Sequence, residues 1–315
     1  MKVLITGGNG YVGSVLLPKL ANLDINLINM DAQWFGNFLP SKINEITQVK
    51  SLSEIESSDL NEVEHVIHLA NVANDPSVDL NPAFSWEINT LHLTELLEKC
   101  KKTENLKSFI YASSGSVYGI SEAEKVTEDL PLIPISTYNK TKQVAERICL
   151  SYRDSFQIHI IRPATVCGLS PRMRFDVVVN MFVLQAFQKG KITILGGDQI
   201  RPNIHIQDMA EVYLHFLKNY SLPSGAYNAG FENLKVTDIA EMVSKISNTD
   251  YEILPSNDPR SYRIDSTKLM NTGFKPKMGV TDAIQEIYNA LKSGSISDDP
   301  RFHNVKWMIQ NKIGV

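Results

Sequence analysis

The sequence predicts an α/β protein, a doubly wound parallel sheet joined to a smaller C-terminal α/β lobe. Three observations carry that prediction. A short branched apolar run, Val3-Leu4-Ile5, ends at glycines 7, 10 and 13 and passes into the helical pattern Val15, Leu16, Leu20, Leu23. Apolar strand patterns then alternate with amphipathic helices as far as residue 163, the signature of parallel strands with right-handed crossovers. At 315 residues the chain exceeds one average domain and can bury a large core. Residues 1–165 are expected to form a nucleotide-binding domain, with 203–220 returning to it, and 166–315 mainly a second ligand-binding lobe.

The first strand and its glycines come in the context a dinucleotide fingerprint requires, strand then Thr6-Gly-Gly-Asn-Gly-Tyr-Val-Gly13 then helix. Gly7, Gly10 and Gly13 permit a tight turn and a close approach of backbone to a pyrophosphate, whose charge sits at a helix N-terminus. The second strand, 25–30, ends at Asp31, 18 residues after Gly13. That is close to the roughly 20 expected of a carboxylate that binds a ribose diol. Ala32 and Gln33 follow, with no arginine to accept a 2′-phosphate, which favours NAD over NADP.

Residues 63–70 read as the next strand, with His65 and His68 structural and Ala70 close to the cofactor. A helix is expected over 84–102, and Ser108-Phe-Ile-Tyr-Ala112 is a strand that delivers Ser113 and Ser114 at its C-terminal end, where ligands of such sheets bind. A helix over 138–152 and a strand over 158–163 complete the half. On that helix Tyr138 and Lys142 lie four residues apart, on one face. Tyrosine, with a pKa of about 10, is a poor base at neutral pH. A neighbouring ammonium is expected to lower it, and the serine loop to supply a hydroxyl for a substrate oxygen.

Composition excludes several classes. Charged residues are 21% and hydrophobic residues 43%, ordinary for a globular protein. A net charge of −4 offers no basic surface to nucleic acid. Cys100, Cys149 and Cys167 lie far apart and read as reduced core thiols, and no metal site is expected. No apolar run approaches 18 residues and no leader pattern precedes the glycines, so the expectation is a soluble cytoplasmic protein without a membrane partner.

In order and spacing, these motifs make the chain resemble the extended short-chain dehydrogenase/reductases that act on nucleotide-activated sugars. The resemblance rests on Thr6 to Gly13, Asp31, His68-Leu-Ala70, Asn89, Ser113-Ser-x-x-Val-Tyr-Gly119, Tyr138-x-x-x-Lys142, Arg162-Pro163 and the block 201–208. It implies a Rossmann domain binding NAD through Gly7, Gly10, Tyr11, Val12, Gly13, Asp31, Leu69, Ala70, Tyr138, Lys142 and Pro163. It also implies a sugar-nucleotide lobe, and a homodimer built on the helices near 84–102 and 138–152. Tyr138 would be the acid/base, Lys142 would hold the nicotinamide ribose, and Ser114 would be the serine of the set. Ser113 and Ser116 stay open between a polar turn and a working role.

The resemblance further implies that Asn180 and Arg201 hold the sugar-nucleotide diphosphate, with Arg174 near the sugar. A guanidinium suits that task because its fork is always charged and bonds phosphate oxygens in pairs. An Arg-x-x-Asp usual near 258 is out of register, leaving Arg260 or Arg263 to take its role. Relatives often carry Gly-Asp after the third strand, whereas this chain has Val49-Lys-Ser-Leu52, so the adenine contact stays unassigned. Asp208 is read as capping the helix that runs to Leu217. The 4,6-dehydratases place Asp-Glu after the Ser/Thr, and the 3,5-epimerase/reductases a cysteine at position 116. Here Gly115 and Ser116 stand there. What remains is redox chemistry at C4, as a 4-epimerase or as a net dehydrogenase or reductase, for example on a GDP-sugar or GDP-heptose. A non-catalytic NAD-binding regulator is the reading of a different class.

Overall fold

The computed structural model describes residues 1–256 and 261–315. Its larger sheet contains β1 (Lys2–Thr6), β2 (Asn26–Asp31), β3 (Thr47–Val49), β4 (His65–His68), β5 (Ser108–Ala112), β6 (Gln157–Pro163) and β10 (Gly225–Ala229), all parallel in the order β10-β6-β5-β4-β1-β2-β3. Val3, Leu4 and Ile5 are fully buried, because a parallel sheet is covered on both faces and needs apolar residues on each. The order reverses at β1, where β2 lies on one side and β4 on the other. A ligand crevice opens at the strand ends beside such a reversal.

The remaining strands are β7 (Thr165–Cys167), β9 (Ile200–His205) and β11 (Glu232–Lys235) in one small sheet, with β8 (Lys191–Leu195) and β12 (Asp250–Leu254) in another. The longer helices are α1 (Gly13–Ala21), α2 (His92–Lys101), α3 (Thr137–Leu150), α4 (Val178–Lys189), α5 (Ile206–Lys218), α6 (Val236–Ser247), α7 (Val280–Ser293) and the shorter α8 (Asn304–Gln310). Helix α5 packs against α1 and β5. Among the described residues no helix is long and apolar enough to cross a membrane.

Three features differ from expectation. Strand β10 joins the large sheet, although its chain was expected in the second lobe. Gly-Ala-Tyr-Asn-Ala has no branched apolar run, and it becomes a strand by pairing with β6. Asp208 does not cap α5, which begins two residues earlier, with His205 Nδ1 accepting from the Gln207 amide at 3.1 Å. The Asp208 carboxylate instead accepts from the Lys277 and Met278 amides, both at 2.9 Å. The 84–102 helix holds a π turn over Glu87–Leu91. Within it, buried Asn89 bonds Val72 N at 2.9 Å, Val72 O at 3.1 Å and Thr141 Oγ1 at 3.1 Å, tying the loop after β4 to α3.

The C-terminal tail had no task in the sequence reading. After α7 it crosses to the first domain, where α8 packs against the short helix Asp75–Val78 and Trp307 Nε1 donates to Trp34 O at 2.7 Å.

Candidate active site

One elongated cavity runs from the glycine loop, past the end of β5, to the loop after β7. Its cofactor end is made mostly of backbone. Gly7 has φ +77°, and a Cβ there would stand 2.5 Å from Ala70 N. A Cβ on Gly13 would stand 2.5 Å from both the Cα and the carbonyl oxygen of Gly8. Glycine is therefore required twice, once by conformation and close approach and once by approach alone. Gly10, Tyr11, Val12 and Gly13 open α1 and border the cavity, as do Leu69 and Pro163.

An adjoining smaller cavity is bordered by Asp31, Ala70, Trp34, Phe35 and the 50–52 stretch. The Asp31 carboxylate accepts from the Asn9 amide at 2.8 Å and the Gln33 amide at 2.6 Å. Burial raises its pKa, and these two amides oppose the rise. Ser51, left open as an adenine contact, bonds Glu54 at 2.8 Å. Trp34 and Phe35, which the sequence reading did not single out, are the flat apolar surfaces of this end.

This donor set fits NAD. Backbone amides at a helix N-terminus suit a pyrophosphate, a carboxylate at the end of β2 suits a ribose diol, and Gly7 and Gly13 let the loop fold tightly enough on itself and on β4 to present them.

The other end is made of side chains. Tyr138, Ser114 and Lys142 all border the cavity. Ser136 caps α3 by accepting from the Asn139 amide at 3.2 Å, which fixes Tyr138 in the first turn. Ser114 Oγ lies 2.8 Å from Ser116 Oγ, and Ser116 donates to Asn139 Oδ1 at 2.6 Å. Lys142 is 2% exposed, and its Nζ donates to Ala112 O at 2.6 Å while lying 5.8 Å from the Tyr138 ring centre. Burial brings the Lys142 ammonium down to about 7, against the charges of Cys149 and Glu146.

The expected lowering of Tyr138 is not found. Burial pushes its phenol up to about 12, opposed by a hydrogen bond with Ser114 and by the Arg174 charge. Withdrawing the phenol from water outweighs an ammonium that is turned onto a backbone carbonyl.

Behind this wall lies a buried ion pair. Glu146, one turn beyond Lys142, receives Arg162 Nε at 2.9 Å, Arg162 Nη2 at 2.7 Å and Ser113 Oγ at 2.5 Å. Arg162 Nη1 donates to Tyr118 Oη at 2.7 Å, and Tyr118 donates to Asn228 at 2.7 Å. Ser113 borders the cavity, and its hydroxyl is turned to the pair. Glu146 was not singled out from sequence, although its spacing from Tyr138 and Lys142 places all three on one helix face.

The loop after β7 is fastened to the cofactor loop. Tyr11 Oη donates to Gly168 O at 2.7 Å and Ser170 Oγ to Tyr11 O at 2.8 Å. The loop thereby sets Arg174 at the cavity wall, paired with Asp176 at 2.9 and 3.0 Å. Asp176 in turn accepts from Asn74 at 3.0 Å. Arg201 also borders the cavity, as does Tyr262.

Two expected residues do not border it. Asn180 is fully buried, its amide donating to Tyr11 Oη and Arg174 O, both at 2.9 Å, and its oxygen accepting from Gly168 N at 3.1 Å. It is spent on the loop. Arg263 is exposed, and its neighbour Tyr262 takes the place at the wall. Arg260 lies outside the described residues. Among the described residues no three His, Cys, Asp or Glu side chains converge as a metal would require.

A parallel sheet reversing at β1, a glycine loop into a helix and a tyrosine–lysine wall define an enzyme of the short-chain dehydrogenase/reductase kind. The chain belongs to the NAD-dependent epimerase/dehydratase family, whose model matches residues 3–230. It is 31% identical over 265 residues to an uncharacterized UDP-glucose epimerase of Bacillus subtilis, covering 78% of this chain and 82% of that protein. It is 27% identical over 329 residues to UDP-glucose 4-epimerase of Lactobacillus helveticus, covering 93% and 98%. Among solved structures, UDP-glucuronic acid 4-epimerase from Bacillus cereus, in complex with UDP-glucuronic acid and NAD, superposes with a TM-score of 0.81 at 27% identity, covering 93% of this chain and 99% of that one.

Proposed function

We propose that the protein inverts C4 of a nucleotide-diphosphate sugar, with Tyr138 as acid/base, Ser114 holding the C4 oxygen, and Lys142 holding the nicotinamide ribose. The observation that carries this reading is the meeting of Tyr138, Ser114 and Lys142 on one wall of a cavity that Arg174 and Arg201 also line. When bound, NAD supplies a hydride acceptor that can return the hydride. With its phenol pushed up by burial, Tyr138 is the proton donor, and it takes up a proton only when the surrounding charge favours the phenolate. Ser114 fixes the oxygen whose proton moves. Arg201 and Arg174 face the diphosphate and sugar. The relatives named above favour a UDP-sugar as the first substrate to try.

A homodimer through α2 and α3 belongs to the same reading, supported by Leu91 and Val144, 53% and 36% exposed near and on those helices. Incubation with UDP-, GDP- and dTDP-sugars, followed by mass spectrometry and NMR of the products, tests the function. A C4-inverted product supports it. A released keto-sugar with equivalent NADH makes the protein a net dehydrogenase, and no turnover of any sugar nucleotide makes it a binding protein.

A further inference from the structure

Two arginines leave the loop after β7 toward the same cavity, and of the two only Arg174 makes a direct ion pair. Arg174 has Asp176. Arg172 is 2% exposed, yet its hydrogen bonds go to neutral oxygens, Asn304 Oδ1 at 2.6 Å and Arg301 O at 3.3 Å. Its Nε is enclosed without a partner. Among the described residues no carboxylate forms an ion pair with it, although burying an uncompensated cation is costly. Its guanidinium lies over the Phe35 ring at 4.1 Å, in the aromatic pair of the cofactor's far end.

Its position is fixed from two sides. The Arg172 amide donates to Ser14 Oγ at 3.4 Å, in the first turn of α1, and Asn304, 5% exposed, opens the tail helix α8. Both Arg172 and Asn304 border the cavity together with Gly10, Tyr11 and Val12. Asp176 and Asp31 act on Arg172 only through space, so a cation with no directly bonded carboxylate stands beside a helix N-terminus that already favours an anion.

We propose that the C-terminal tail is a working part of the cofactor site, with Asn304 holding Arg172 at the mouth of the glycine loop so that its charge meets a dinucleotide diphosphate. The tail then governs how long the dinucleotide stays bound. This rests on the glycine loop being the cofactor site and not on the C4 chemistry. An enzyme that reuses its cofactor within one catalytic cycle gains from slow release, which gives the strap a purpose.

The test is binding, with no sugar present. Affinities for ADP-ribose and for adenosine, which lacks phosphates, are measured by calorimetry on the full chain, and NADH release is followed by fluorescence. Arg172→Met keeps the stem over Phe35 and removes the charge. It is expected to weaken ADP-ribose on the order of tenfold and to speed NADH release, with adenosine unchanged. Arg172→Lys recovers part of the loss, and Asn304→Leu gives a smaller effect in the same direction. Equal ADP-ribose affinity in Arg172→Met overturns the proposal, and so does an equal loss for adenosine, which would make Arg172 a packing residue. Should Arg172→Met not fold, Asn304→Leu and Trp307→Phe carry the test, and unchanged NADH release in both overturns it. Failure to turn over any sugar nucleotide leaves this result standing, so the two readings fail separately.

Discussion

The two ends of the cavity are built on opposite principles. At the glycine loop the working groups are backbone amides, and what matters is the absence of side chains at Gly7 and Gly13. At α3 the working groups are side chains, and what matters is that half-buried Tyr138 and buried Lys142 and Glu146 keep their places. Adding atoms damages the first end and removing them damages the second. The cost of burying charge is also met differently. Glu146 and Arg162 compensate each other directly, whereas Lys142 has a carbonyl and a depressed pKa.

The largest expected effect tests the side-chain end. Tyr138→Phe removes one oxygen and keeps the ring, so NADH binding should persist while turnover falls about 10³-fold, within the range of general acid–base catalysis. Turnover within tenfold of the native enzyme would transfer the proton to another group. Glu146→Gln comes next. It leaves Arg162 buried without its counter-ion, at a cost of about 3 kcal/mol in denaturant unfolding. A loss below about 1 kcal/mol would mean that water or Tyr118 compensates Arg162 unaided. At the backbone end, Gly7→Ala introduces a Cβ at 2.5 Å from Ala70 N on a left-handed backbone. It should cost about 2 to 3 kcal/mol and weaken NADH, because the loop must shift to relieve the contact.

The asymmetry explains what the sequence makes legible. A requirement for no side chain appears as glycine at fixed spacing, so the cofactor loop and Asp31 at the end of the next strand can be read directly. Tyr138 and Lys142 are legible because helical periodicity puts them on one face. The contact between Arg172 and Asn304 is not, since the two meet across 132 residues of sequence with no local pattern to announce it. Asn180 is the converse case. An asparagine at that place reads as a ligand contact, but its amide can equally satisfy a loop, and the nearby Tyr11 hydroxyl takes it. Strand β10 has no apolar alternation of its own and exists through its partner. The direction of the Tyr138 shift fails for a further reason: spacing reports that an ammonium is near but not that burial of the phenol outweighs it.

His68 joins the two ends and supplies the smallest prediction. It lies at the end of β4, with Nδ1 2.8 Å from Thr6 Oγ1 on the cofactor side and its ring stacked on Tyr111 toward Lys142. Burial, with a lesser push from the Lys142 charge, depresses its pKa to about 3. In the unfolded chain it titrates near 6.5, so between those values the unfolded state binds the extra proton and stability is lost as the pH drops. Above pH 6.5 both states are neutral and nothing is lost. At pH 5 the loss from this one side chain is about 2 kcal/mol, taking 1.36 kcal/mol per unit. His65, depressed to about 4 by burial, adds to the total but not to the difference between native and variant. Chemical unfolding at pH 8 and pH 5 should therefore show His68→Gln losing about 2 kcal/mol less than the native protein. An identical pH dependence would mean that His68 is hydrated or already charged in the fold. The two ends would then meet through water instead of through a dry imidazole.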